Sequence, residues 1–340
     1  MIRVLIVEDS PTSRALLAAI LRSDPEIEVV GEAVDGVEGV RMARALRPDV
    51  LTMDVEMPRL NGLEATREIM ISAPTPIVIV TANTRRGEAE ASMAMLRTGA
   101  LDVLEKPVGP GSPDFDAMAR RLIWTVKAMA QVKVIRHWRA ASRSDLSRPA
   151  STEHSRGRVV AVAASTGGPA ALHRLLGDLP GDFPAPILVV QHIATGFIDG
   201  FANWLNSASA FRVKLAQHGE PLVPGTVYLA PDDRQLGVSG RGLIALSDAP
   251  EVGGFRPSAT HLFESVARDF GASALAVILT GMGEDGVAGL RSVRQAGGRV
   301  IAQDEQTSVV YGMPGAAVAA GLADAVLPIE AIAARLIAMV

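Results

Sequence analysis

The sequence contains no cysteine, which excludes a disulfide framework, a thiol nucleophile and a cysteine-ligated zinc site. It has no large charge excess of either sign. A formal net charge of −4 gives no electrostatic reason to expect nucleic acid or an anionic membrane as partner. Long apolar runs are missing too. The stretch Ile2 to Val7 ends in Glu8-Asp9, too short for a signal peptide, and no stretch reaches the ~20 apolar residues of a spanning helix. The expectation is a cytoplasmic protein with no membrane-inserted segment. Neither G-x-G-x-x-G nor G-K-[ST] is present, and the G-x-S-x-G elbow is also absent. The second half shows no basic helix or helix-turn-helix pattern, which disfavours a DNA-binding output.

What is present points to two α/β domains. At 340 residues and 48% hydrophobic content the chain can bury two cores. In the first half, apolar runs at Arg3 to Val7, Val29 to Ala33, Val50 to Met53, Ile77 to Val80 and Leu101 to Leu104 read as strands. Helical patterns such as Arg14 to Leu21 and Gly36 to Leu46 separate them. Continuous rather than alternating apolar strands argue for a parallel sheet covered on both faces, hence a doubly wound domain. Ser-rich, basic sequence follows, expected to be a linker that begins as a helix extension. Strand–helix alternation resumes at Val159, continues through Ile187 to Val190, Val227 to Ala230 and Leu243 to Leu246, and includes Leu275 to Thr280 and Arg299 to Ala302. Helices are expected at Pro169 to Leu176, Leu262 to Phe270, Val287 to Gln295 and Ile329 to Val340. The expected division is a domain over 1–125, a linker over 126–157 and a second domain over 158–340.

Ligands of parallel α/β sheets bind beyond the carboxyl ends of the strands. At those ends in the first domain stand Glu8-Asp9, Asp54, Thr81 and Lys106-Pro107. Three clustered acids repel one another unless a cation sits among them, and oxygen ligands that leave several waters in place describe Mg²⁺. Asp54 is then the natural phosphoryl acceptor, with Thr81 and Lys106 holding the other phosphoryl oxygens.

In the second domain, Val159 to Ala164 runs directly into Ser165-Thr166-Gly167-Gly168-Pro169. A serine at a strand-to-helix turn sits where backbone N–H groups and the helix dipole stabilise an oxyanion. Taken alone, it is also a helix cap. His192 ends the next strand, and Asp285 follows a glycine turn after a later one. Serine needs a base and histidine needs an acceptor, which Ser165, His192 and Asp285 can supply. Asp304 is a second candidate acid, while His173 and His261 are rival bases placed in helical patterns.

Ile6-Val7-Glu8-Asp9-Ser10, Asp54-Val55-Glu56-Met57-Pro58 and Leu104-Glu105-Lys106-Pro107 resemble the signature of response-regulator receiver domains. That resemblance implies Glu8, Asp9 and Asp54 as metal ligands, Asp54 as phosphoacceptor for a histidine kinase, and Thr81 and Lys106 as switch residues. Val103 stands where many receivers carry an aromatic residue. Ala164-Ser165-Thr166-Gly167-Gly168, Val190-Gln191-His192, the run Leu279 to Gly286, Ala302-Gln303-Asp304-Glu305 and Thr307 to Pro314 resemble the chemotaxis methylesterase domain. This second resemblance implies a Ser165, His192, Asp285 triad, with Thr166 and the Met282 N–H at the oxyanion. It also implies no cofactor for the esterase chemistry, chemoreceptors as substrate, and glutamine deamidation as a second activity. The segment Gly253 to Ser258 departs from the family pattern, with Thr260 where an acidic residue is usual. A receiver joined to a non-catalytic binding module, or a methylesterase of a non-flagellar pathway, are the alternatives.

Overall fold

The structure, a computed structural model, describes residues 1–82, 86–132, 157–240 and 242–340. Its first sheet has five parallel strands: β1 (Ile2–Val7), β2 (Ile27–Ala33), β3 (Val50–Met53), β4 (Ile77–Thr81) and β5 (Asp102–Glu105), in the order β2-β1-β3-β4-β5. Strands β3 and β4 are buried from end to end, which is why their sequences are apolar without alternation. Helices α1 (Pro11–Arg22), α2 (Gly36–Leu46), α3 (Gly62–Ser72), α4 (Arg86–Thr98) and α5 (Phe115–Met129) connect and cover them. Local chemistry sets where three of these begin. Ser10, Asp35 and Asn61 each accept a backbone N–H of the first turn, and Pro11 opens α1. Helix α5 continues past residue 125, and most of the expected linker, 133–156, lies outside the described residues.

The second sheet has seven parallel strands in the order β14-β13-β12-β6-β7-β9-β8. They are β6 (Val159–Ala164), β7 (Ile187–Gln191), β8 (Arg212–Leu215), β9 (Thr226–Leu229), β12 (Ala274–Ile278), β13 (Arg299–Gln303) and β14 (Ala325–Leu327). A separate antiparallel hairpin, β10 (Gln235–Ser239) and β11 (Leu243–Ser247), is the excursion between β9 and the following helix. The helices are α6 (Gly168–Asp178), α7 (Ile198–Ala208), α8 (Ala259–Phe270), α9 (Val287–Gln295), α10 (Met313–Ala319) and α11 (Ile329–Ile337). The chain steps from β6 to β7 on one side and later returns to β12 on the other. A switch point therefore opens beside β6, where open α/β sheets bind their ligands.

Several expectations are corrected. Helix α7 was not anticipated, because Gly200, Asn203 and Asn206 weaken its local signal. Burial of Ile198, Phe201, Trp204 and Leu205 forms it instead. Strand β12 ends at Ile278, so Thr280 has already left the sheet, and α8 starts at Ala259 because Ser258 caps it. No described helix is long and apolar enough to cross a membrane.

The two units touch beside the second sheet's carboxyl edge. Helix α4 packs on α6 and α7, and Val309 and Val310 pack against the core shared by β1, β4 and α5. At this contact Asp102 is buried, and its carboxylate accepts a hydrogen bond from the Thr166 side chain and from the Val103 N–H. Burial pushes the Asp102 carboxyl up from 3.8 to about 6, against the pull of Arg121 and these two donors. A carboxyl raised in the folded state contributes stability that is full below its ordinary value and lost as pH rises through about 6. The loss is on the order of 3 kcal/mol. Urea unfolding of wild type and Asp102→Asn should therefore coincide most closely near pH 4 and diverge in favour of the variant by pH 7.

Candidate active site and acidic pocket

Register brings the three candidate catalytic groups to one edge. Ala164 pairs with Gln191 across β6 and β7, so Ser165 and His192 are the next residues out on neighbouring strands. The His192 N–H donates to Ala164 O at 2.9 Å, and the Ser165 N–H to Thr280 O at 3.0 Å. The β12 side comes equally close, since a Cβ added at Gly281 would lie 2.7 Å from Ser165 Cβ. Gly167 adopts φ 76°, a left-handed turn that drops the chain into α6 directly behind Ser165. Gln191, buried between the strands, donates its carboxamide to Ser165 O at 2.8 Å and His192 O at 2.9 Å, fixing the two loops to each other.

His192 Nε2 lies 3.1 Å from Asp285 Oδ2, off the line of a full hydrogen bond, and the ring's other nitrogen is buried without a hydrogen-bond partner among the described residues. Asp285 is held from its far side. The Ser258 hydroxyl donates to Oδ1 at 2.8 Å, the Ala259 N–H to Oδ2 at 2.7 Å and the Thr260 N–H to Oδ1 at 3.0 Å. These are the first amides of α8, so the carboxylate sits at the positive end of a helix. Burial alone would raise its pKa, but His192 and those amides outweigh burial and bring it down from 3.8 to about 2. The Thr260 hydroxyl accepts from the Gly286 N–H at 2.9 Å, so this threonine braces the loop carrying Asp285. Ser258 and Gln191 were given no role from sequence, and Thr260 was noted only as a departure from the family pattern. Ser258 alone left a local trace, a serine in position to cap α8.

The other candidates resolve by position. Asp304 accepts from the Thr307 N–H and hydroxyl and caps its own turn. His173 stacks on Trp204 at 5.2 Å, and His261 lies in the first turn of α8. Thr166 and Met282 flank Ser165 on the β6 and β12 turns, and neither backbone N–H has a partner among the described residues.

In the first unit, Glu8, Asp9 and Asp54 place carboxylate oxygens within 4.8 Å of one another. Lys106 Nζ lies 2.9 Å from Asp54 Oδ2 and 2.9 Å from Glu8 Oε2, and the Lys106 backbone N–H donates to Thr81 O at 2.8 Å. Burial and then Asp54 push Glu8 up to about 7, and burial raises Asp54 as well, with Lys106 opposing both shifts. Burial would lower Lys106, but Asp54 and Glu8 together raise it. Acids still raised beside an ammonium fit a pocket suited to a further cation, and an all-oxygen donor set suits a hard divalent ion.

Comparison with known proteins identifies the two domains that carry these pockets. Residues 160–336 match the family model for the CheB methylesterase and residues 4–112 that for the response regulator receiver domain. The protein-glutamate methylesterase/protein-glutamine glutaminase 4 of Myxococcus xanthus is 58% identical over 98% of this chain and 96% of its own length. Number 3 of Anaeromyxobacter dehalogenans is also 58% identical, over 99% of this chain and 98% of its own. The crystal structure of the Thermotoga maritima CheB methylesterase catalytic domain is 42% identical, with a TM-score of 0.53, covering 54% of this chain and 99% of that one. The chain belongs to the CheB methylesterase family, carrying its methylesterase domain behind a response regulator receiver domain.

Proposed function

We propose that the protein hydrolyses γ-glutamyl methyl esters on chemoreceptors, releasing methanol, and deamidates receptor glutamines by the same acyl chemistry. The observation that carries this reading is the buried His192–Asp285 pair, 3.1 Å apart at the strand-end edge beside Ser165. Asp285 stays ionised and orients the imidazole. The His192 nitrogen turned away from Asp285 takes the Ser165 proton as Oγ attacks the ester carbonyl. The resulting oxyanion rests on the Thr166 and Met282 N–H groups. Collapse of this intermediate expels methoxide, which takes the proton from His192 and leaves as methanol. Water, deprotonated by His192, then attacks the acyl-enzyme and releases glutamate and Ser165. Methanol release from methylated receptor membranes, with Ser165→Ala as control, tests the reading.

Control is proposed to lie in the receiver, with the chain divided at 125/126 and 157/158 and working in the cytoplasm. Glu8, Asp9 and Asp54 would hold Mg²⁺, which when bound neutralises an incoming phosphoryl group. A histidine kinase would be the phosphodonor and Asp54 the acceptor, while Thr81 and Lys106 bind the phosphoryl oxygens. The docked receiver covers the edge beside Ser165, and a shift of a few kcal/mol in that contact is enough to open it. In Asp54→Ala, a small-molecule phosphodonor with Mg²⁺ should no longer raise methanol release. The ratio of rates with and without donor should fall to about one. Strong activation of that variant would contradict the proposal.

A further inference from the structure

Phe255 lies outside every role assigned so far, yet its ring covers His192. The two ring centroids are 4.3 Å apart and the planes differ by 4°. Phe255 is 36% exposed, so it does not fill a core, whereas the His192 side chain beneath it is only 8% exposed. The loop that carries it is firmly built. Gly253 and Gly254 take φ 62° and 84°, and reciprocal Val252–Phe255 backbone hydrogen bonds of 3.1 Å close the turn. The fully buried Gln235 donates to Phe255 O at 3.3 Å and Pro250 O at 3.1 Å, while its Oε1 accepts the Ser258 N–H at 2.9 Å. Arg256 Nε donates to Asp233 Oδ1 at 2.7 Å. One short segment thus places a flat face on His192 through Phe255 and bonds Asp285 through Ser258.

A single edge contact leaves an imidazole free to tilt about that edge. Asp285 fixes the direction of His192 within the ring plane but not the plane itself. We propose that Phe255 is a positioning residue that sets the plane of the His192 ring, so that the nitrogen turned away from Asp285 can meet the Ser165 hydroxyl on the neighbouring strand end when substrate binds. A parallel stack does this without touching either nitrogen, and it keeps water off the ring face. The inference rests on the hydrolase reading above.

The test is steady-state methanol release by the full-length protein on methylated receptor membranes, with and without phosphodonor. Wild type, Phe255→Leu, Phe255→Ala, Phe255→Tyr and the Ser165→Ala control are compared, with thermal melting to report folding. Loss of ring alignment should lower kcat about tenfold or more in the Leu variant. KM should stay within about twofold, because a positioning residue does not contribute uniform binding. Phe255→Tyr should restore kcat, and the loss should be the same factor in both phosphodonor states. Four results overturn the inference: a Leu variant equal to wild type, a change in KM alone, a Tyr variant no better than Leu, or a loss confined to one phosphodonor state. The third would show that stacking is not what matters, and the fourth that Phe255 acts through receiver docking. If the Ala variant does not fold, Leu and Tyr still decide it. Wild type releasing no methanol would sink the hydrolase reading itself, an outcome distinct from wild type working while Phe255→Leu matches it.

Discussion

Replacing Ser165 with alanine should leave a folded protein whose methanol release falls by at least about 10⁴-fold, with or without phosphodonor. Folding should survive because the contacts of this residue are made by its backbone. Its N–H donates to Thr280 O, and its carbonyl accepts from the Gly168 N–H and from Gln191. The hydroxyl makes no hydrogen bond among the described residues, so alanine removes a reactive atom and little else. A drop this large identifies covalent catalysis, since losing a substrate contact alone changes binding by far less. Activity surviving in a folded Ser165→Ala protein would return the second domain to the status of a binding module. Single-turnover measurement of methanol release and circular dichroism on the same preparations separate these outcomes.

The second large effect concerns Asp285. Asn at this position should lower kcat by about 10⁴-fold, as expected when a triad carboxylate is replaced by an amide that favours the wrong imidazole tautomer. Stability should fall too. Both carboxylate oxygens accept hydrogen bonds from α8 or its cap, and an amide nitrogen turned toward those donors leaves at least one unpaired. That costs about 1–3 kcal/mol. The pH dependence has a definite sign. A carboxyl lowered to about 2 contributes stability that is present above its ordinary 3.8 and disappears as pH falls through about 2. The stability gap between wild type and Asp285→Asn should therefore be full at neutral pH and close only in strong acid. Urea unfolding at pH 7 and pH 3 measures it, and a gap that widens in acid would contradict the assignment.

The candidate sites were legible where a candidate residue stands at the end of a buried strand. Asp54, Thr81, Lys106, Ser165 and His192 each end an apolar run, and the geometry of parallel sheets converts that position into a shared edge. Asp285 was harder to read, because nothing local separates a triad acid from a cap. Its position allows both, since it accepts from α8 while facing His192. What could not be read were the residues that hold the site in place. Gln191 acts on a residue 26 positions away and Ser258 on one 27 away, pairings that exist only after the sheet has formed. Phe255 lies in a glycine turn with no periodicity, so its face on His192 is a product of tertiary closure. Short edge strands escaped for a different reason. β14 is three partly exposed residues, with too little burial to impose a pattern.

The Thr166–Asp102 hydrogen bond carries a thermodynamic obligation. Asp102 takes the Thr166 side chain while an oxyanion would take the Thr166 N–H, so a receptor segment seated on this edge and a docked receiver exclude each other in space, and each weakens the other by an equal factor. If phosphorylation loosens the receiver, bound receptor must favour the phosphorylated form to the same degree. On the proposed function the coupling would then run in both directions, with bound methyl esters helping to hold the protein in the state that hydrolyses them.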